Sequence, residues 1–239
     1  MDASLTTRLA AEFIGTAIMI IFGNGAVANV ELKGTKGFSS DWFLIAFGYG
    51  CGVMIPAVMF GSISGNHLNP AVTLSFAVMG LFPWENVLPY IIVQFLGAMV
   101  GQLLLVAAYK PYYDRTTNQE GILGSFVTID AAHSRMNGFV NEFLGTLILV
   151  FGALAIGAGK FGAAGHIVVG LLVMTLVASL GGPTGPALNP ARDLGPRLVH
   201  MFTPLKNKGD SQWSYAWVPV VAPIIGAICG AGIFQMIFA

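Results

Sequence analysis

Gly61-Ser62-Ile63-Ser64-Gly65-Asn66-His67-Leu68-Asn69-Pro70-Ala71 reads as irregular backbone that turns into a helix at its end. Asparagine is a favoured N-cap and proline a favoured first helical residue. The apolar run after Pro70 is only about ten residues, half of what a membrane span needs. A second copy follows far along the chain: Gly181-Gly182-Pro183-Thr184-Gly185-Pro186-Ala187-Leu188-Asn189-Pro190-Ala191-Arg192. Both predict short re-entrant half-helices, because irregular backbone survives at membrane depth only where protein buries it or it lines a wet cavity.

Composition makes the membrane setting necessary. Of 239 residues 55% are hydrophobic and 9% charged, with mean hydropathy +0.76. A soluble domain carries about 25% charged residues, so this chain cannot cover a water-facing surface. Lys plus Arg and Asp plus Glu balance at 11 each, which gives no field for nucleic acid or an acidic partner. Cys51 and Cys229 lie in apolar runs without a nearby histidine or second cysteine, which argues against a disulfide or a metal site. Apolar runs near 7–28, 42–61, 87–108, 139–159, 165–181 and 216–238 predict six transmembrane helices. The first could pass for a signal peptide, with Ala26-Val27-Ala28 as a cleavage site. It is longer than the roughly 7–15 residues of a signal core, and its pattern recurs in mid-chain.

That recurrence extends along the chain. Glu12-Phe13-Ile14-Gly15-Thr16 returns as Glu142-Phe143-Leu144-Gly145-Thr146, and Gly97-Ala98-Met99-Val100-Gly101 returns as Gly226-Ala227-Ile228-Cys229-Gly230. One channel-sized domain, 1–239, then consists of repeats of about 1–110 and 136–239 joined by the polar stretch between Tyr109 and Met136. Three spans per half make the repeats inverted. The glycine pairs Gly97/Gly101, Gly226/Gly230 and Gly48/Gly52 suit close helix crossing.

Inversion brings two half-helix N-termini together near the midplane, each with roughly half a positive charge. Cations, including protons relayed along water, meet a barrier there. The Asn69 and Asn189 amides can donate to one water or hydroxyl oxygen, while the carbonyls of Gly65, Asn66, His67, Gly185, Pro186 and Ala187 accept along the path. Such a bore selects small neutral solutes. Glu12 and Glu142, ionisable residues inside spans, are expected to accept hydrogen bonds from the unwound loops. His67 is expected to contribute its carbonyl and pack its ring. Catalytic residues, cofactors and metal ligands are not expected: no nucleophile–base pair, phosphate-cradling loop or ligand cluster stands out. A secondary transporter with inverted repeats is the rival from another class, but coupling needs cation-binding groups where this chain puts positive helix ends.

On the paired Asn-Pro-Ala motifs, His67, Arg192 and the paired Glu-Phe-(Ile/Leu)-Gly-Thr segments, the chain resembles the major intrinsic protein family over nearly its whole length. The resemblance implies six tilted helices plus two half-helices, one pore per subunit, and a homotetramer. Asp193 and Arg197 after the second motif, and Pro219-Val220, look like the glycerol-facilitator branch, though a simpler role for Asp193 is helix-terminal charge and pairing with Arg197. Counting from the motifs places the family's selectivity filter at Tyr49, Val177, Pro186 and Arg192. Water-selective members have histidine where Val177 stands, and glycerol facilitators have Trp and Phe where Tyr49 and Pro186 stand. A filter opened by Pro186 is expected to pass glycerol, water and solutes such as dihydroxyacetone, urea or protonated small acids; a water-selective aquaporin is the alternative.

The expected setting is a prokaryotic plasma membrane with cytoplasmic termini. That orientation leaves Arg8 and Lys160 inside and Lys33, Lys36, Lys110, Arg115, Arg135, Arg197, Lys206 and Lys208 outside, against the positive-inside rule.

Overall fold

A computed structural model describes residues 3–159, 161–162 and 164–238; Lys160, counted among the cations above, lies outside them. Helix α1 (Leu5–Glu31) starts at Ser4, whose hydroxyl accepts the Thr7 N–H. Helix α2 (Trp42–Ser64) starts at Asp41 in the same manner and stops at Gly65, where φ is +85°. Then come α3 (Pro70–Val78), a 3₁₀ turn at Trp84–Asn86, α4 (Val87–Arg115) and the short α5 (Gln119–Gly124). The second half holds α6 (Arg135–Ala158), α7 (Ala164–Thr184), α8 (Pro190–Phe202) and α9 (Val218–Phe238). Six are long and apolar enough to cross a bilayer, namely α1, α2, α4, α6, α7 and α9. The fold is the all-α arrangement expected: six spans and two half-helices, α3 of 9 residues and α8 of 13.

The central connection departs from expectation. The polar stretch assigned to it from Tyr109 is helical to Arg115, in spite of Pro111, and a further helical turn forms at α5. At 1.5 Å per residue, 29 residues reach about 43 Å, past a hydrocarbon layer of about 30 Å. The end of α4 therefore stands clear of lipid, where polarity is no obstacle. Lys110 and Asp114 pair there at 2.6 Å, one turn apart.

The distribution of side chains is that of a protein in lipid. Phe43, Phe47, Leu88, Ile92, Leu103 and Val140 face outward, whereas Glu12, Asn24, Gln94, Gln102 and Glu142 are fully buried. Helices approach closely because glycines meet backbone. A methyl group at Gly97 or Gly101 of α4 would overlap the Phe13 or Ala17 carbonyl of α1. Gly226 and Gly230 of α9 stand in the same relation to Phe143 and Leu147 of α6. Gly48 and Gly52 of α2 bring that helix against Phe22 and Met19 of α1.

Candidate functional site

The starts of α3 and α8 meet inside the bundle through their caps. Asn69 Oδ1 accepts the Ala71 N–H at 2.9 Å, and Asn189 Oδ1 accepts those of Ala191 at 3.0 Å and Arg192 at 3.2 Å. With the oxygens committed, the amide nitrogens turn toward the opposite loop: Asn69 Nδ2 donates to the Leu188 carbonyl at 2.7 Å and Asn189 Nδ2 to the Leu68 carbonyl at 2.8 Å. Each amide has two N–H groups: Asn69 retains one donor, and the second of Asn189 meets the weakly accepting Met19 sulfur at 3.9 Å. Both asparagines line a cavity of 690 Å³. Pro70, Ala71, Pro190 and Ala191 are buried as the first turns of the half-helices.

The loops leading to the caps are held from behind. Glu12 accepts the N–H groups of His67 (2.9 Å) and Leu68 (2.7 Å), the Ser64 hydroxyl and the Gln94 amide. Glu142 accepts those of Ala187 (2.9 Å) and Leu188 (2.8 Å) and the Thr184 hydroxyl. Leu68 and Leu188 sit at φ +51° and +52°, a conformation that costs a non-glycine residue roughly 1–2 kcal/mol. Their side chains fill the space that Gly15 and Gly145 leave open; a methyl group at either glycine would overlap them. Thr16 and Thr146 bond back to the carbonyls of Glu12 and Glu142 at 2.7 Å. The glutamate and the glycine of the repeated Glu-Phe-(Ile/Leu)-Gly-Thr segment thus each shape a loop, in both halves.

Tyr49, Val177, Pro186 and Arg192 all line the 690 Å³ cavity, as do Gly65, Asn66, His67 and Ala187. Gly185 instead lines an outer vestibule of 310 Å³, whose wall also includes Tyr49 and Arg192. These two side chains therefore stand where the two spaces adjoin. Arg192 donates to the Phe126 carbonyl at 2.9 Å and to the Tyr49 hydroxyl, which in turn donates to Asn24 Oδ1. Asn24 Nδ2 binds Gln102 Oε1 at 2.6 Å and the Phe126 carbonyl at 2.9 Å. Arg192 Nε is buried and has no partner among the described residues.

Sequence reasoning missed Asn24 and Gln102, although both carry the signal that marked Glu12, a polar side chain within a span. It also missed Phe126, whose contribution is a carbonyl that no side-chain pattern reveals. His67 packs its ring among Phe76, Phe82 and Tyr90 and contacts Thr73 Oγ1 at 3.1 Å.

Asp193 and Arg197 form a fully buried pair at 2.8 Å, one turn apart on α8. Asp193 also accepts the Thr128 N–H and hydroxyl, and Arg197 donates to the carbonyls of Thr128, Ser211 and Gln212. The pair ties the connections on both sides of the second half to α8, next to Arg192. Among the described residues no cluster of His, Cys, Asp or Glu is placed to hold a metal.

A bundle of six spans, closed at its centre by two half-helix caps and walled by one buried arginine, is a multi-pass membrane channel rather than an enzyme. The family description "Major intrinsic protein" matches residues 2–234, and the chain belongs to that family. It is 56% identical to "Glycerol uptake facilitator protein-like 5" of Lactiplantibacillus plantarum, over 100% of this chain and 99% of that one. It is 46% identical to "Glycerol facilitator-aquaporin gla" of Lactococcus lactis subsp. cremoris, over 100% of both chains. Among solved structures, the X-ray structure of the aquaglyceroporin from Plasmodium falciparum superposes with a TM-score of 0.88 at 30% identity, covering 99% of this chain and 98% of that one.

Proposed function

We propose that this protein is a passive channel for glycerol, water and other small neutral solutes, closed to ions and protons. The observation that carries this is the small set of polar side chains in an otherwise apolar passage. Asn69, Asn189 and Arg192 line a cavity walled by residues such as Val53, Leu149, Val173 and Val177. A polyol has a hydroxyl edge for such polar groups and a C–H edge for such walls. Val177 in place of a histidine leaves the filter without the polar group that favours water alone. The relatives' printed names, glycerol uptake facilitator and glycerol facilitator-aquaporin, support the same solutes.

The test is stopped-flow light scattering on proteoliposomes challenged with water, glycerol, urea and a larger polyol. Glycerol and water should both pass; vesicles tight to glycerol but open to water would leave the water-selective alternative. Two variants sharpen it. Arg192→Ala removes a fixed charge that at close range is worth about 4 kcal/mol against a cation at an effective dielectric of 20. Proton leak, read with an internal pH dye, should rise at least roughly ten-fold, while water flow persists. Pro186→Phe puts a ring back into the filter and should lower dihydroxyacetone and urea flux more than water flux.

The same proposal makes the chain one unit of two inverted repeats, about 1–110 and 136–239, that assembles as a homotetramer in the cell membrane with cytoplasmic termini. The reciprocal Asn69–Leu188 and Asn189–Leu68 bonds support the repeat relation. Against the positive-inside count stands the employment of several of its cations within the protein. Arg197 is buried in its pair, Lys110 is bonded to Asp114, and Lys208 caps the carbonyls of His200, Met201 and Thr203.

A further inference from the structure

Trp42 has no part in the passage described so far. It is the first residue of α2, where Asp41 caps the helix and accepts the Phe43 N–H at 2.7 Å. Its indole N–H donates to the carbonyl of Val177, a filter residue on α7, at 3.0 Å. The indole meets Gly181 by its edge: a methyl group there would come within 2.5 Å of both Nε1 and Cζ2. It also reaches Gly185, the residue before Pro186, where a methyl group would stand 3.7 Å from it, an ordinary contact. Trp42 is 38% exposed and lines the 310 Å³ vestibule along with Gly181, Gly185, Tyr49 and Arg192.

These contacts are unlike those of a tryptophan that merely anchors a helix at the lipid interface with its N–H toward water. Here the N–H is spent inside the protein, and the lack of a side chain at Gly181 is needed to seat the ring. What remains on the vestibule side is a rigid apolar face. It reaches Gly185, next in sequence to Pro186, where the chain lacks the aromatic ring of a glycerol facilitator.

We propose that Trp42 is a specificity-determining residue, the aromatic wall of the channel's outer mouth. It bears on the C–H edge of an entering polyol and excludes longer ones, while Arg192 and Tyr49 stand at the inner limit of the same vestibule. This rests on the glycerol permeation proposed above. The bond to Val177 makes the wall stiff: a ring free to swing would admit wider solutes part of the time.

The test compares wild type with Trp42→Phe, Trp42→Leu and Trp42→Ala in proteoliposomes, measuring water, glycerol and ribitol permeability per unit of reconstituted protein. Losing a large apolar contact at a selective pocket changes discrimination roughly ten-fold or more, and the ribitol-to-glycerol ratio should rise by about that much in Trp42→Ala. Leucine should give a smaller rise and phenylalanine a ratio near wild type, with water flow retained throughout. If the alanine variant is not recovered in vesicles, the leucine variant decides. A ratio unchanged in a water-conducting alanine or leucine variant overturns the proposal, since a purely structural role would lower all fluxes together. Wild-type vesicles tight to glycerol would instead sink the permeation proposal on which it stands.

Discussion

Replacing Glu142 with leucine should abolish water and glycerol permeability together. The carboxylate is fully buried and accepts the N–H groups of Ala187 and Leu188 and the Thr184 hydroxyl, at 2.8–2.9 Å. Leucine accepts nothing, so two backbone donors are stranded in a dry interior at about 1–3 kcal/mol each. The space beside the loop is taken by Leu188 packed on Gly145. The loop must rearrange, and with it goes the left-handed turn at Leu188 whose carbonyl orients Asn69. The opposite cap is thereby lost too, although it lies on the other half of the chain. Together the two stranded donors cost about 2–6 kcal/mol, enough to reduce the population with an intact passage by roughly thirty-fold or more. Glutamine retains one acceptor but points an NH₂ at the second donor, and should fall between the two. Proteoliposome fluxes and the melting temperature of the purified protein read both variants. Wild-type fluxes from Glu142→Leu would mean that the loop does not depend on its buried carboxylate.

Glu142 also marks how far the sequence could be read. Its recurrence with Glu12, and the recurrence of Asn-Pro-Ala, exposed the two half-helices, because capping is local chemistry that a few letters spell out. The spans were legible for a similar reason: lipid demands long apolar runs. Span ends were less so. The helix that holds Lys110 and Asp114 continues beyond the bilayer, and hydropathy registers only the part inside it. Within the site, Tyr49, Val177, Pro186 and Arg192 could be placed by counting from the motifs, and all four line the cavity. The groups that orient them could not. Asn24 meets Tyr49 across two helices, Phe126 contributes a carbonyl from the central connection, and Trp42 reaches Val177 from a helix end. Such contacts depend on how helices rotate and cross, which only the assembled bundle fixes. Leu68 and Leu188 are a milder case: a leucine repeated before each motif was visible, but not its left-handed backbone.

Gly226→Leu should leave no folded protein in the membrane, whereas Gly232→Leu, on the same helix, should behave as wild type. The two positions separate packing from hydrophobicity, since leucine is favourable in lipid at either. At Gly226 a single added carbon already overlaps the Phe143 carbonyl oxygen of α6 and comes 3.1 Å from the Leu147 nitrogen. These are backbone atoms, which cannot rotate aside as a side chain can. Gly230, one turn on, meets the Leu147 carbonyl in the same way, so a tilt of α9 that relieved one position would press on the other. Only separation of α6 and α9 makes room. Apolar residues gain little by meeting each other rather than lipid, so helices in a bilayer associate through close van der Waals contact. Moving the pair apart loses that contact along the whole crossing, well beyond the roughly 1–3 kcal/mol of an overpacked soluble core. At Gly232 nothing lies within 4 Å of an added carbon, and leucine there should simply face outward. Size-exclusion profiles in detergent, followed by glycerol flux of whatever reconstitutes, distinguish the outcomes. Equal yields and fluxes from both variants would show that α6 and α9 do not cross at backbone contact.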